Sequence, residues 1–327
     1  MTARRTFVAV ALALLAAPLA AQEKGAQRVY RIGVLESSPL AGNAENIEQL
    51  RKGLRDAGYV EGKNLALEYR SADGHLKRYR RLAAELVNIP VDVIVTRGTP
   101  ATIAAKEAAG NTPVVTTLVI DPVETGLVAN LTRPGGKVTG LAVLDTEVEA
   151  KRIELLKAIA PKTKRIAAFV NMANPALAAS WQLTQTAARS QGLEADLVDV
   201  RRPQDLEAAF ETAVSRGANA AVVRTGGVTP EDRRAVADLA LKHKMPSMYV
   251  SRQFVDAGGL VSYGVNISDL YYRAGKYIDR VLKGANPGEL AMETPNKFEL
   301  VINRRTVRAL DLVVPPDILL RSTATVP

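Results

Sequence analysis

Val91-Asp92-Val93-Ile94-Val95-Thr96-Arg97-Gly98-Thr99-Pro100-Ala101 holds the pattern that decides the fold. Val91 to Thr96, rich in β-branched residues, reads as a buried strand. Gly98 follows as a turn residue, and Thr99 stands directly before Pro100, which predicts a helix start with a capping oxygen ahead of an N1 proline. A strand that turns tightly into a helix is the repeating unit of a parallel α/β sheet.

The unit recurs along the chain. Strands are expected at Tyr30 to Leu35, Leu65 to Tyr69, Val114 to Val119 and Val138 to Val143, then at Arg165 to Val170, Ala195 to Val200, Ala220 to Arg224, Ser247 to Val250 and Leu260 to Tyr263. Helices lie between them: in Ala44 to Ala57, Ile47, Leu50 and Leu54 share a face, and in His75 to Val87, Leu76, Leu82 and Leu86 do. Ten strands split into two sets of five with a break near Asp145, giving an α/β protein of two similar doubly wound lobes. A helix from Asp269 to Leu282 and a late strand from Phe298 to Ile302 imply that the chain crosses between lobes more than once. The first lobe is therefore expected to hold residues 29–144 with about 264–292, and the second residues 145–263 with about 293–327.

Arg4 and Arg5 precede an apolar run from Phe7 to Leu19 and the small residues Ala20 and Ala21, the pattern of a cleavable signal peptide over residues 1–21. The run is shorter than the roughly 20 residues a membrane-spanning helix needs, so a soluble, exported mature protein is expected. The chain has no cysteine, which excludes disulfides, thiolate metal sites and a lipid anchor on an N-terminal cysteine. Its 327 residues, 47% hydrophobic, can bury a large core. The formal charge of +9, about +7 without Arg4 and Arg5, is scattered singly or in pairs and is not interleaved with aromatics, so no nucleic-acid partner is expected.

Enzymatic motifs are missing. The two histidines, His75 at a basic helix start and His243 beside Lys242 and Lys244, both read as solvated, and neither a Gly-x-Ser-x-Gly elbow nor a dinucleotide fingerprint occurs. Gly58-Tyr59-Val60-Glu61-Gly62-Lys63-Asn64 is one residue short of a phosphate loop, ends in Asn and precedes a strand, the wrong context for that motif. No enzymatic activity, cofactor or metal is expected.

Several segments resemble the ABC transporter substrate-binding protein family, whose founding members include receptors of tryptophan and tyrosine importers. They are Gly53-Leu54-Arg55-Asp56-Ala57-Gly58-Tyr59-Val60-Glu61-Gly62-Lys63-Asn64, Gly98-Thr99-Pro100-Ala101, Asp121-Pro122-Val123 with Arg133-Pro134-Gly135-Gly136, Asn174-Pro175, Phe254 to Gly264, and Lys297 to Asn303. The resemblance implies a type I periplasmic-binding-protein fold, a small-molecule ligand held between the lobes, and a monomeric periplasmic receptor serving an ABC permease and its ATPase in the inner membrane. A ligand-sensing subunit signalling through a membrane partner is the first alternative, and an enzyme on the same scaffold the second. The chain departs from the family at Arg224-Thr225-Gly226-Gly227, where relatives carry an acidic or Pro-containing turn, and this bears on ligand identity.

Ligands of open α/β sheets bind outside the carboxyl ends of the strands. By that rule the expected ligand-binding residues are Ser37, Ser38, Gly98, Thr99 and Asp121 in the first lobe, and Asn171, Asn174, Thr225, Tyr249 and Tyr263 in the second. Thr99, Asp121 and Asn174 each precede a proline, and each is equally readable as a helix cap. Free amides at such helix starts suit a carboxylate, with the Ser37-Ser38 turn and Thr99 expected to hold it. Asp121 would then pair with an ammonium group, making an amino acid, aromatic ones included, the expected ligand.

Overall fold

The computed structural model describes residues 28–224, 230–295 and 297–327, so the expected signal peptide and Thr225 lie outside the described residues. The first sheet is built from β1 (Tyr30–Glu36), β2 (Leu65–Ser71), β3 (Val93–Arg97), β4 (Val114–Ile120) and β5 (Val138–Val143), all parallel in the order β2-β1-β3-β4-β5. Strand alternation divides its apolar residues between two helix layers. Val93 and Val95 face α1 (Ala44–Asp56), whereas Ile94 faces α2 (Tyr79–Asn88) and α3 (Thr99–Ala108).

After α4 (Asp145–Ile159) the second sheet begins, with β6 (Arg165–Val170), β7 (Glu194–Asp199), β8 (Ala220–Arg224), β9 (Ser247–Tyr249) and β10 (Val261–Val265). Its helices are α5 (Pro175–Ser190), α6 (Leu206–Ser215), α7 (Pro230–Lys242) and α8 (Arg252–Asp256). The next helix, α9 (Ile267–Leu282), buries Leu270, Tyr271, Ala274 and Ile278 in the core of the first sheet beside α1. The chain then returns to the second sheet as β11 (Phe298–Asn303), α10 (Arg304–Ala309), α11 (Pro316–Arg321) and β12 (Ala324–Val326), completing the order β12-β11-β10-β9-β8-β6-β7. The connection crosses at three places: between β5 and α4, between β10 and α9, and between Glu293, bridged to Leu141, and β11.

Three features differ from the sequence expectation. The second sheet is not a five-stranded parallel copy of the first, because β11 pairs antiparallel with β10 and the unexpected strand β12 extends the edge. The helix expected from His75 begins with a 3-10 turn, Leu76–Arg78, and becomes α-helical only at Tyr79. The helix expected from Asp269 starts two residues earlier, because Asn266 caps it by accepting the Asp269 N–H at 2.8 Å. Among the described residues no helix is long and apolar enough to cross a membrane.

Candidate functional site

The carboxyl ends of the parallel strands in both sheets open onto one cavity of about 170 Å³ between the lobes. Ser37 and Ser38 enter it after β1, Arg97 to Pro100 after β3, and Asn171 and Asn174 after β6. Arg224 ends β8, while Val250, Ser251 and Phe254 follow β9. Between the polar ends the wall is hydrocarbon, with Leu76, Leu118, Ile120, Val148, Leu177 and Ile267 among its residues.

Six expected residues line this cavity: Ser37, Ser38, Gly98, Thr99, Asn171 and Asn174. Their local roles differ in part from expectation. Gly98, at φ +87°, is the N-cap of α3, a conformation open to glycine. Thr99 is instead the first residue of the helix, and its Oγ1 accepts the Ile120 N–H at 3.4 Å. Asn174 does cap α5, its Oδ1 accepting the Ala176 N–H at 3.2 Å, and Asn171 Oδ1 accepts the Ala173 N–H at 3.0 Å.

Asp121, Tyr249 and Tyr263 are not among the described lining residues. No helix follows Asp121; its backbone is left-handed at φ +41°, and its Oδ1 accepts the Asp145 N–H at 3.3 Å. Its Oδ1 thus serves the first turn of α4. Burial, countered in part by the Asp145 N–H and aided by repulsion from the Asp145 carboxylate, pushes its pKa up to about 6. Tyr249 is fully buried in the second lobe, stacked on Phe254 at 4.9 Å, because its side of the strand faces the α6–α8 layer. Tyr263 stacks on Phe298 at 5.6 Å and offers the site only its backbone carbonyl, which accepts from Arg152 Nε at 2.8 Å.

Charge enters the site mainly through residues outside the expected ligand-binding set, although Arg224 opens the turn where the chain departs from the family. The described charged side chains lining the cavity are Arg97, Asp145, Arg152, Arg224 and Arg233. Arg152 Nη1 reaches Asp145 at 3.3 Å and Glu149 at 3.0 Å; Arg224 pairs with Asp145 through Nη2 and with Glu149 through Nη1 at 3.0 Å. Thr184 Oγ1 donates to the other oxygen of Glu149 at 2.6 Å. Burial disfavours the charge on Asp145, yet Arg224 and Arg152 outweigh it and hold the carboxyl below its usual range. On the opposite wall Arg97 stands in the field of buried Glu36, whose carboxyl takes the Tyr271 hydroxyl proton in a hydrogen bond. Burial raises the pKa of Glu36, partly countered by Arg97. Arg224 Nε is buried with no hydrogen-bond partner among the described residues. Arg97 and Arg224 were findable, since each is the last residue of its strand; Arg152 and Asp145 are helix residues whose burial depends on the other elements around them.

This architecture has known counterparts. A tyrosine-binding protein of Clostridioides difficile is 28% identical over 261 residues, covering 80% of this chain and 75% of the relative. The crystal structure of an ABC domain in complex with L-Trp from Streptococcus pneumoniae superposes with a TM-score of 0.83 at 24% identity, over 91% of this chain and all of that one. A conserved domain protein from Vibrio cholerae gives a TM-score of 0.84 at 26% identity over the same shares. The profile of the ABC transporter substrate binding proteins matches residues 36–326, and with two parallel-sheet lobes closing around one cavity, the chain belongs to that family.

Proposed function

We propose that this chain is the exported receptor of an ABC importer, capturing a small carboxylate-bearing molecule between its lobes and presenting it to a membrane permease. The observation that carries the reading is a cavity of about 170 Å³ walled by hydrocarbon and by four arginines from both lobes. An apolar cavity of about 150 Å³ accommodates benzene, so the volume suits a small molecule of one or two rings or a short branched chain with a carboxylate. Guanidinium groups are matched to carboxylates in geometry and charge. Ser38, Thr99, Asn171 and Arg224 are the proposed polar contacts, and the Trp and Tyr named for the relatives put those amino acids among the ligands to examine. The N-terminal charge and apolar run support export, with cleavage before Gln22.

The test begins with protein recovered from the periplasm, whose N-terminus should read Gln22. Thermal melts with a panel of carboxylates, sugars and cations should give a shift with a carboxylate. At 100 times the dissociation constant the gain is about 2.7 kcal/mol, a rise of roughly 5 to 10 °C for a chain of this size. Shifts from sugars or metal cations alone would remove the carboxylate reading, and recovery of the uncleaved chain in membranes would remove export.

A further inference from the structure

The two ends of the second lobe differ in charge. At the end opposite the cavity, where the parallel strands begin, Lys162 and Lys164 lead into β6 and Lys244 leads into β9. The strand β11 runs the other way, so its carboxyl end reaches the same side. There the Asn303 N–H donates to the Leu260 carbonyl at 2.9 Å, and Arg304, Arg305 and Arg308 follow on α10. From β6 to β11 there are four strand intervals, which makes a row about 20 Å wide. All six residues are exposed, and among the described residues none pairs with a carboxylate. The nearby carboxylates Glu194 and Asp256 are taken by Arg165 and Arg252, which leaves Asp311 and Asp317 against the six cations. At the matching end of the first lobe, by contrast, Arg28 pairs with Asp92 at 2.7 Å, Arg51 with Glu61 at 2.6 Å and Lys283 with Asp279 at 2.8 Å.

Local helix stability does not account for this row. Arg304 and Arg305 occupy the first turn of α10, where the helix dipole disfavours cations, and Lys162 and Lys164 lie beyond the end of α4. Val313, in the segment from α10 to α11, is 85% exposed, and the Leu312 N–H, folded back onto the Val307 carbonyl at 3.0 Å, keeps it beside α10. An apolar side chain among unpaired cations suits a bilayer interface, which offers phosphates and hydrocarbon together, better than it suits a purely ionic polymer. We propose that this end of the second lobe docks reversibly on an anionic phospholipid bilayer, with its lysines and arginines on the lipid phosphates and Val313 at the interface. Each cation within a Debye length of such a surface strengthens partitioning roughly fivefold. The cavity lies at the other end of the strands and stays open to solution while the protein is held.

The test is sedimentation of the protein from Gln22 onward with vesicles of equal parts phosphatidylglycerol and phosphatidylcholine. Phosphatidylcholine vesicles and a single-stranded oligothymidylate serve as comparisons. At about 0.1 M salt the mixed vesicles should bind at least tenfold more tightly than phosphatidylcholine alone, and about 1 M salt, where the Debye length falls to about 3 Å, should release the protein. The triple variant Arg304→Gln, Arg305→Gln, Arg308→Gln and the double variant Lys162→Gln, Lys164→Gln should each weaken vesicle binding at least tenfold with the melting temperature unchanged. Lys63→Gln, Lys77→Gln and Lys276→Gln together remove as much charge as the triple variant from other exposed positions, and should leave binding within about threefold. An equal loss in that control would assign the effect to net charge and overturn the docking surface. So would vesicle binding that phosphatidylglycerol does not strengthen, or capture of oligothymidylate in preference to vesicles. The two end variants alter separate elements, so if one fails to fold the other decides.

Discussion

Asp121 carries a carboxylate whose pKa is about 6, against an ordinary value of 3.8, and it lies at the first of the three passages between the lobes. A folded pKa above the unfolded one means that the folded state holds the proton more tightly. The stabilisation is therefore full below about pH 4 and is lost as pH rises through 6. Asn keeps the acceptor for the Asp145 N–H and tolerates the left-handed backbone, but it does not titrate. Asp121→Asn should thus melt higher than the parent at pH 7.5, by roughly 1 to 2 kcal/mol after allowance for solvent screening, with the difference vanishing by pH 4. Denaturation series at pH 4, 5, 6 and 7.5 on both proteins measure this. A variant less stable at pH 7.5 would mean that the ionised carboxylate is net favourable there, and the account of its burial would fail. The same substitution should leave ligand affinity nearly unchanged, since Asp121 does not line the cavity.

Among the elements, α1 and α9 meet backbone to backbone. A Cβ placed on Gly53 would lie 2.2 Å from the Tyr272 carbonyl oxygen, and one on Gly275 would lie 2.7 Å from the Gly53 carbonyl carbon. Two helices distant in sequence thus touch backbone to backbone over the first sheet, and α9 arrives there from the second sheet. In Gly53→Ala two effects oppose each other. Helix propensity favours alanine by up to about 1 kcal/mol. Overpacking against a backbone atom that cannot rotate away costs about 1 to 3 kcal/mol, and at 2.2 Å the upper part of that range applies. The net expectation is a loss of about 1 to 2 kcal/mol and a fall in melting temperature of several degrees. A variant as stable as the parent would show that α9 can lift off α1 cheaply. The Gly53 to Asn64 segment was conspicuous in the sequence as a block, but the reason for its first glycine lies more than 200 residues away, in Tyr272.

At the scale of the whole molecule, three crossing segments join two lobes that share one cavity, the arrangement of a hinge. Ligand bridging the Arg97 wall and the Arg224 wall should favour the closed lobes by its differential affinity for them. Small-angle scattering with and without saturating ligand should show the radius of gyration fall from the roughly 20 Å or more expected for a chain of this length. An unchanged radius, with binding shown independently in the same sample, would remove hinge closure from the account.

How far the sequence alone reached follows from how local each feature is. Strand and helix limits were legible to within about four residues, because periods of 2 and 3.6 and proline or glycine at the ends act within a few positions. Ser37, Ser38, Gly98, Thr99, Asn171 and Asn174 were legible as cavity residues, because in a parallel sheet every strand delivers its carboxyl end to the same side. Tertiary structure decided the rest. The antiparallel return of β11 and the added strand β12 depend on where the chain lands after its third crossing, which no local pattern encodes. Tyr249 went into the core because the α6–α8 layer covers its side of the strand. Asp145 and Glu149 read singly as solvated carboxylates on a helix face, and Arg224 only as the end of a strand at the turn that departs from the family. Packing over a separation of 79 residues brought them together into a buried, charge-balanced cluster at the cavity wall.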